Sequence, residues 1–192
     1  MFTRWLFLSL FVFMWVGWLA LWRVMAFRVK ATAQSESVPS RLSHLAPLLF
    51  AGYLLAAPQV PIVLLNGRFV PLAIWPVALG AALTFAGLLF SVWARFELAG
   101  NWSDFVQVKR DHELIVGGPY RWVRHPIYTG LILMFVGTAL AVGEWRGVVA
   151  VAVAAASFWR KLRLEEAVMR RQFGETYAQY AERVPALIPF VL

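Results

Sequence analysis

The sequence has no cysteine, three histidines and few charged residues. Without cysteine the chain forms no disulfide, no thiolate nucleophile and no thiolate metal site. His44, His112 and His125 are far apart and follow no metal-binding spacing, so we predict no zinc or iron site. Only 15% of the residues are charged and 61% are hydrophobic. A soluble domain of this size has too few polar residues to cover so many hydrophobic ones. We therefore predict a membrane protein.

The motifs of soluble nucleotide-binding folds are also missing. No Gly-x-Gly-x-x-Gly follows a strand, and there is no phosphate-loop motif. The formal net charge is +8, but the arginines lie at the ends of apolar segments rather than on one continuous face. We therefore expect membrane lipids, and no nucleic acid, as partners.

Five apolar segments are candidates for membrane-spanning helices, because about 20 apolar residues cross a hydrocarbon core of roughly 30 Å. They are residues 5–22, 45–65, 70–93, 127–142 and 148–159. Pro58 and Pro61 predict a kink in the second segment, whereas Gly80 and Gly87 predict close helix contact in the third. Gly143-Glu144-Trp145-Arg146-Gly147 predicts a tight turn that joins the last two segments into a helical hairpin. The last segment is short, so either its helix continues past Trp159 or the hairpin is re-entrant.

Positive charge predicts the orientation of these five segments, because lysine and arginine are retained on the cytoplasmic side. With five spans, 15 of the 18 Lys and Arg residues fall on one side, and the other three are Arg4, Arg68 and Arg146. We therefore predict an outside amino terminus, a cytoplasmic carboxyl terminus and a multi-pass integral membrane protein.

Two polar segments, residues 95–124 and 160–192, flank the predicted hairpin and share its cytoplasmic face. Pro126 suits the first turn of a helix, which places His125 at its entrance and Tyr128 one turn deeper. The amides and positive dipole of a helix start favour a carboxylate, such as that of S-adenosylmethionine. Taken as isolated residues, His125 as a cap and Tyr128 in an aromatic belt are the simpler interpretation.

The second polar segment predicts an amphipathic helix that opens near Arg160 and lies along the membrane surface. A carboxylate at this boundary, Glu165, is suited to fix a cationic sulfonium or amino group. For its neighbour Glu166, a solvated position or a salt bridge to a nearby arginine is the simpler interpretation.

As an ensemble, these residues resemble the isoprenylcysteine carboxyl methyltransferase family over roughly residues 85–192. The motifs that carry the resemblance are Gly100-Asn101-Trp102-Ser103, Arg124-His125-Pro126-Ile127-Tyr128, Glu165-Glu166, Phe173-Gly174-Glu175 and Val184-Pro185. The relatives of that family include membrane phospholipid N-methyltransferases. The resemblance implies an all-α fold of about five membrane helices, with a cytoplasmic cofactor site and a C-terminal amphipathic helix. Residues 1–94 would supply three spans and residues 95–192 the catalytic region.

The resemblance also implies S-adenosylmethionine as cofactor and a lipid-like or prenylated acceptor. The implied cofactor-binding residues are Gln107, His112, Glu113, Leu114, Ile115, Tyr120, His125, Pro126, Ile127, Tyr128 and Glu165. The candidate catalytic residues are Arg124, His125, Glu165 and Glu166. Lys161 stands where the family has an arginine that contacts the acceptor carboxylate; it and Arg163 are the candidate substrate-binding residues.

Four functions remain open, and O-methylation of a prenylated cysteine carboxylate is the leading one. A carboxylate acceptor is already ionised at neutral pH and needs only to be positioned. Phospholipid N-methylation would need a base, with Glu165, Glu166 or His125 as candidates. The other two are a non-catalytic membrane scaffold with this fold and a membrane reductase that uses a nicotinamide cofactor.

Overall fold

The structure, a computed structural model, describes residues 2–26, 32–35, 37–98, 107–109 and 114–189. The described residues form α1 (Phe2–Ala26), β1 (Thr32–Ser35), α2 (Val38–Ala56), α3 (Ile74–Leu98), β2 (Gln107–Lys109), α4 (Pro126–Val142), α5 (Trp145–Phe173) and α6 (Glu175–Arg183). Short 3₁₀ turns occur at Val63–Asn66 and Gly118–Arg121. In this arrangement α4 packs between α3 and α5, while α1 packs against α3 and α2 against α5.

Glycines bring α3 and α4 into close contact, as the sequence predicted for Gly80 and Gly87. A Cβ atom on Gly130 would lie 2.6 Å from the carbonyl oxygen of Gly87, and one on Gly137 would overlap the carbonyl oxygen of Gly80. Small residues let helix backbones approach in lipid, where packing rather than the hydrophobic effect drives helix association. This contact fixes α4, the helix whose first turn carries the candidate site.

Tryptophan side chains join α1 to the α3–α4 pair. The indole N–H of Trp15 donates to the hydroxyl of Thr138 at 3.1 Å, and that of Trp18 donates to the hydroxyl of Ser91 at 3.0 Å. Each bond satisfies an indole donor inside an otherwise apolar interior. Two directional contacts therefore set how α1 lies on the pair.

The expected kink in the second segment is wrong, because α2 ends at Ala56. Proline restricts the residue before it to extended backbone, and Ala57 before Pro58 is extended, with φ −61° and ψ 139°. The terminal carbonyl groups of Leu54 and Ala57 instead accept hydrogen bonds from the buried side chain of Arg146, at 2.9 Å for Leu54. The third helix likewise starts at Ile74, after Pro71, rather than at residue 70.

The hairpin between α4 and α5 is a short turn, as predicted. Gly143 ends α4 in the left-handed conformation at φ +67°, which glycine adopts without steric cost. From Trp145 the helix α5 continues past Trp159 to Phe173, so the first of the two alternatives holds. Its 29 residues span roughly 44 Å.

The C-terminal helix therefore differs from its prediction. Arg160 lies inside α5 rather than at the start of a new helix, and the break comes at Gly174 with φ +51°. The separate helix α6 has only 9 residues. The reason is that no helix-breaking residue occurs between Trp159 and Gly174, so the span extends into the polar segment.

A short antiparallel ribbon interrupts the otherwise all-helical fold and was not predicted. In it Gln34 pairs with Val108 and Ser35 with Gln107. β2 in turn lies against α5. The ribbon thus connects the segment after α1 with the polar segment before α4.

Large apolar side chains cover the outside of the helices. Phe13, Leu49 and Leu64 are 76%, 75% and 78% exposed. Among the described residues, α3 is the one helix that is a clear candidate for a membrane span by both length and composition, and only 28% of its most apolar stretch is buried. Two shorter apolar helices cover Ser9–Met25 and Pro126–Val142. Exposed apolar surface on this scale is that of a membrane protein.

Candidate active site

The start of α4 holds the candidate site in place. His125 is the N-cap residue and Pro126 the first helical residue, as predicted. The backbone amides of Arg124 and His125 donate to the carbonyl groups of Pro185 and Ala186 at 2.8 and 3.0 Å. These two amides are therefore already bonded, and a ligand at this helix end would meet amides further into the first turn.

Arg124 and Glu166 form a two-pronged ion pair at the centre of the cluster. The Nε and Nη2 atoms of Arg124 lie 2.8 and 2.6 Å from Oε1 of Glu166. The remaining nitrogen, Nη1, donates to the carbonyl oxygens of Ala181 and Val184, at 3.0 Å for Ala181. The guanidinium is thus fully engaged in hydrogen bonds with Glu166 and with carbonyl groups at the end of α6.

His125 lies between the two adjacent carboxylates. Its Nε2 is 3.3 Å from Oε1 of Glu166, and its Nδ1 is 3.6 Å from Oε2 of Glu165. The other oxygen of Glu165 accepts a hydrogen bond of 2.5 Å from the hydroxyl of Tyr128. His125 and Tyr128, one helical turn apart, therefore contact two successive glutamates on α5.

Aromatic rings and one cation border the cluster. The Tyr128 ring stacks on two other rings. Its centroid lies 5.6 Å from that of His125 and 5.2 Å from that of Phe158. The ammonium of Lys161 lies 5.6 Å from the Tyr128 ring centroid. Arg163 is exposed, and two helical positions rotate it about 200° from Lys161, so the structure brings only Lys161 to the site.

Both carboxylates are held in the ionised form. Burial alone raises the pKa of Glu166, but the hydrogen bonds from His125 and Arg124 outweigh it and lower that pKa to about 2. Burial opposes ionisation of Glu165 too, yet His125, the charge of Lys161 and the Tyr128 hydroxyl together lower its pKa. The cluster therefore presents two negative charges at neutral pH.

The same contacts favour the protonated imidazole of His125. Burial alone would lower the pKa of His125, but its bonds and charge interactions with Glu165 and Glu166 raise it above the ordinary value of 6.5. A histidine that faces two carboxylates serves as a cation and a donor, rather than as a proton acceptor.

This arrangement predicts how stability depends on pH. A histidine whose pKa is raised by folding stabilises the native state below its unfolded pKa and loses that contribution as the pH rises through the folded pKa. Between pH 5 and pH 9 Glu166 stays ionised, so His125 dominates. We expect the thermal midpoint of the wild type in detergent to fall with rising pH relative to that of His125→Gln, as measured by scanning fluorimetry. Parallel curves for the two proteins would contradict this assignment.

Tyr180 of α6, a residue with no predicted role, contacts the 3₁₀ turn at Gly118–Arg121. Its hydroxyl donates to the carbonyl oxygen of Tyr120 at 2.6 Å, while burial raises the pKa of the Tyr180 phenol and keeps it neutral. Tyr120 itself is buried, as is Phe158. The repeat Tyr177-x-x-Tyr180 was the signal that could have pointed to this contact.

The remaining predicted residues lie outside the cluster or outside the described residues. His112 and Glu113 are not among the described residues, and of Gln107 the structure describes only its place in β2. Leu114 and Ile115 are half-buried just before Gly117. Their expected contact with the cofactor stays a prediction.

The described residues fit the group that the sequence implies. A sulfonium or ammonium is stabilised by a carboxylate, and Glu165 supplies one whose pKa is lowered. The side chain of Glu165 is 23% exposed, so the protein does not cover it completely. Pro126 and Ile127 complete the first turn of α4, whose dipole favours an anionic group.

The sequence model of the phospholipid methyltransferase family matches residues 75–176, which include α4 and the cluster on α5. This match covers more than half of the chain. The chain belongs to the phospholipid methyltransferase family. The matched residues include all of α4 and α5, and so every contact described above between these two helices.

Curated proteins that are similar to this chain carry a more specific name than that of the family. Protein-S-isoprenylcysteine O-methyltransferase B of Arabidopsis thaliana is 28% identical over 120 residues, covering 61% of this chain and 61% of that protein. The Homo sapiens protein-S-isoprenylcysteine O-methyltransferase is 32% identical over 119 residues, 57% of this chain and 42% of that protein. The chain thus spans about two fifths to three fifths of the relatives it matches.

A solved structure shares the fold of this family member. It is the eukaryotic intramembrane Ras methyltransferase, isoprenylcysteine carboxyl methyltransferase, with 22% sequence identity and a TM-score of 0.57. The similarity covers 81% of this chain and 54% of that one. It therefore extends beyond the region matched by the family model and includes helices in the first half of the chain.

Proposed function

We propose that this protein transfers a methyl group from S-adenosylmethionine to the carboxylate of a prenylated cysteine. The similarity to protein-S-isoprenylcysteine O-methyltransferases supports the acceptor class. The cofactor, when bound, supplies an electrophilic methyl group, which passes to one carboxylate oxygen and forms a methyl ester. The protein's own task is to hold the acceptor oxygen in line with that methyl group and to keep water away.

The observation that carries the choice of acceptor is the three-fold engagement of Glu166 Oε1. Two nitrogens of Arg124 and one of His125 contact this oxygen. Among the described side chains of the cluster, Glu166 is paired with Arg124 and has a lowered pKa, the pKa of Glu165 is also lowered, and that of His125 is raised. None of the three is suited to remove a proton from an ammonium of pKa near 10, whereas a carboxylate acceptor needs no base.

The charge of the cluster also favours an anionic acceptor. Arg124 and Lys161 carry two positive charges, protonation of His125 adds a third, and Glu165 and Glu166 carry two negative ones. We assign Lys161 to the acceptor carboxylate because its ammonium is at the edge of the cluster, while Arg124 is committed to Glu166. Glu165 we assign to the cationic part of the cofactor, and Arg124 with Glu166 to positioning His125.

We further propose five membrane spans, with the amino terminus outside and the site in the cytoplasm. The distribution of lysine and arginine supports this topology, because 15 of 18 fall on one side. Helices α1 to α5 would supply the spans, and the site lies where α5 leaves the bilayer beyond Trp159. The amphipathic helix at the membrane surface would then be α6.

The test is binding and transfer on one sample of detergent-purified protein. Titration calorimetry with S-adenosylmethionine comes first, followed by methyl transfer to a farnesylcysteine analogue and to phosphatidylethanolamine. We expect saturable binding and transfer to the farnesylcysteine analogue. Transfer to phosphatidylethanolamine alone would favour N-methylation, and folded protein that binds no cofactor would favour a scaffold.

A further inference from the structure

The segment after α6 crosses the start of α4 and accepts four hydrogen bonds from residues there. We call residues 184–187 the C-terminal strap. The carbonyl groups of Pro185 and Ala186 accept the backbone amides of Arg124 and His125, at 2.8 and 3.0 Å. One turn further along α4, the hydroxyl of Thr129 donates to the carbonyl oxygen of Leu187 at 2.7 Å. The proposed function gives neither Thr129 nor the strap a role.

The sequence explains why the chain adopts this extended path. Proline restricts the residue before it to extended backbone, and Val184 before Pro185 has φ −120° and ψ 122°. The strap is packed rather than loosely attached, because Ala186 and Leu187 are 6% and 9% exposed. Its carbonyl groups therefore face α4 in a fixed order.

Two described side chains donate to the strap, the Arg124 guanidinium to Val184 and the Thr129 hydroxyl to Leu187. Because Arg124 also pairs with Glu166, Thr129 is the one that mutation can remove without breaking that ion pair. A hydroxyl has one proton, and Thr129 has two acceptors within reach: Leu187 at 2.7 Å and its own helix carbonyl at His125, 3.2 Å away. The shorter distance assigns the proton to Leu187. The hydroxyl thus fastens the far end of the strap, beyond its two backbone bonds.

We propose that Thr129 is a positioning residue for methyl transfer and acts by holding the strap on the start of α4. This inference rests on the proposed function. The strap fixes the backbone of Arg124 and His125, and the Arg124 side chain reaches the strap a second time through the carbonyl oxygen of Val184. Whatever loosens the strap therefore loosens the two side chains that organise Glu165 and Glu166.

The first test follows hydrogen exchange in the protein without cofactor. Thr129→Val keeps the β-branched shape and removes the hydroxyl, whereas Thr129→Ser restores it. We expect the amides of Arg124 and His125 to exchange about fivefold faster in Thr129→Val, since one lost hydrogen bond costs about 1 kcal/mol. Thr129→Ser should exchange like the wild type.

A matched control is Thr138→Val, the same substitution two and a half turns along α4. Thr138 accepts the indole N–H of Trp15 and has no contact with the strap in the described structure. This variant should lower the thermal midpoint while exchange at Arg124 and His125 stays at the wild-type rate. Equal exchange in Thr129→Val and the wild type would overturn the inference.

The second test separates positioning from binding by steady-state methyl transfer to the farnesylcysteine analogue. We expect Thr129→Val to lower kcat about tenfold with little change in KM for the acceptor, and Thr129→Ser to recover most of kcat. Active wild type with an equally active Thr129→Val would contradict the role of Thr129 alone. A wild type that methylates neither acceptor would instead contradict the proposed function.

Discussion

Glu165→Gln should lower kcat for methyl transfer on the order of 100-fold or more, because it removes a fixed charge from the reacting centre while keeping the side-chain shape. The amide oxygen of glutamine can still accept the Tyr128 hydroxyl, so the contact between α4 and α5 is retained. What disappears is the negative charge that faces His125 and that we assign to the cationic cofactor. The measurements are methyl transfer and cofactor titration on the same preparation.

Glu182→Gln is the matched control for this variant. Glu182 is exposed on α6, away from the cluster, so the same change in charge should leave kcat and cofactor affinity at wild-type values. Wild-type turnover by Glu165→Gln would remove Glu165 from the site. Loss of turnover accompanied by a collapsed thermal midpoint would assign it a structural role instead.

Gly137→Leu should strongly destabilise the helix bundle. Its side chain would meet the carbonyl oxygen of Gly80 and, at 2.5 Å, the hydroxyl of Thr84, so α3 and α4 would have to separate. Overpacking of this kind costs about 3 kcal/mol, and each kcal/mol shifts the thermal midpoint of a chain this size by about 2–4 °C. We expect a midpoint about 10 °C lower by scanning fluorimetry in detergent.

Gly52→Leu provides the control for adding a leucine to a glycine position in a helix. A Cβ atom on Gly52 of α2 meets no heavy atom within 4 Å, so the added side chain would face open space. Its thermal midpoint should stay near that of the wild type. A similar decrease in both variants would mean that the close contact between α3 and α4 is not what limits stability.

Sequence reasoning succeeded where a local rule decides the backbone. Proline at the first turn of a helix predicted that α4 starts at Pro126 with His125 as its cap, and glycine predicted both the α4–α5 turn and the close α3–α4 contact. It failed at Pro58 because proline inside an apolar run permits either a kink or an end. The choice depends on Arg146, which binds the carbonyl groups of α2 from a distant turn.

The ribbon and the strap could not be predicted for a different reason. β1 and β2 pair segments more than 70 positions apart, and neither carries an alternating apolar pattern. The strap binds through carbonyl groups, which every residue has, so its partners leave no signature in the sequence. Likewise, two adjacent glutamates do not reveal which one pairs with an arginine until the facing helix is known.

Because α5 is one continuous helix, it fixes the distance between the apolar surface and the candidate site. Val148, on the apolar surface, and Glu165 belong to one rigid rod, so they are separated by about 26 Å along its axis. The bilayer fixes the depth of the apolar end of α5. Because the helix is continuous, the distance of Glu165 from the bilayer is fixed as well. On the proposed function, a lipid-tailed acceptor would present its carboxylate at Lys161 only if its tail length matched the depth from which it emerges. Bilayer thickness would then help to determine which acceptors this protein methylates.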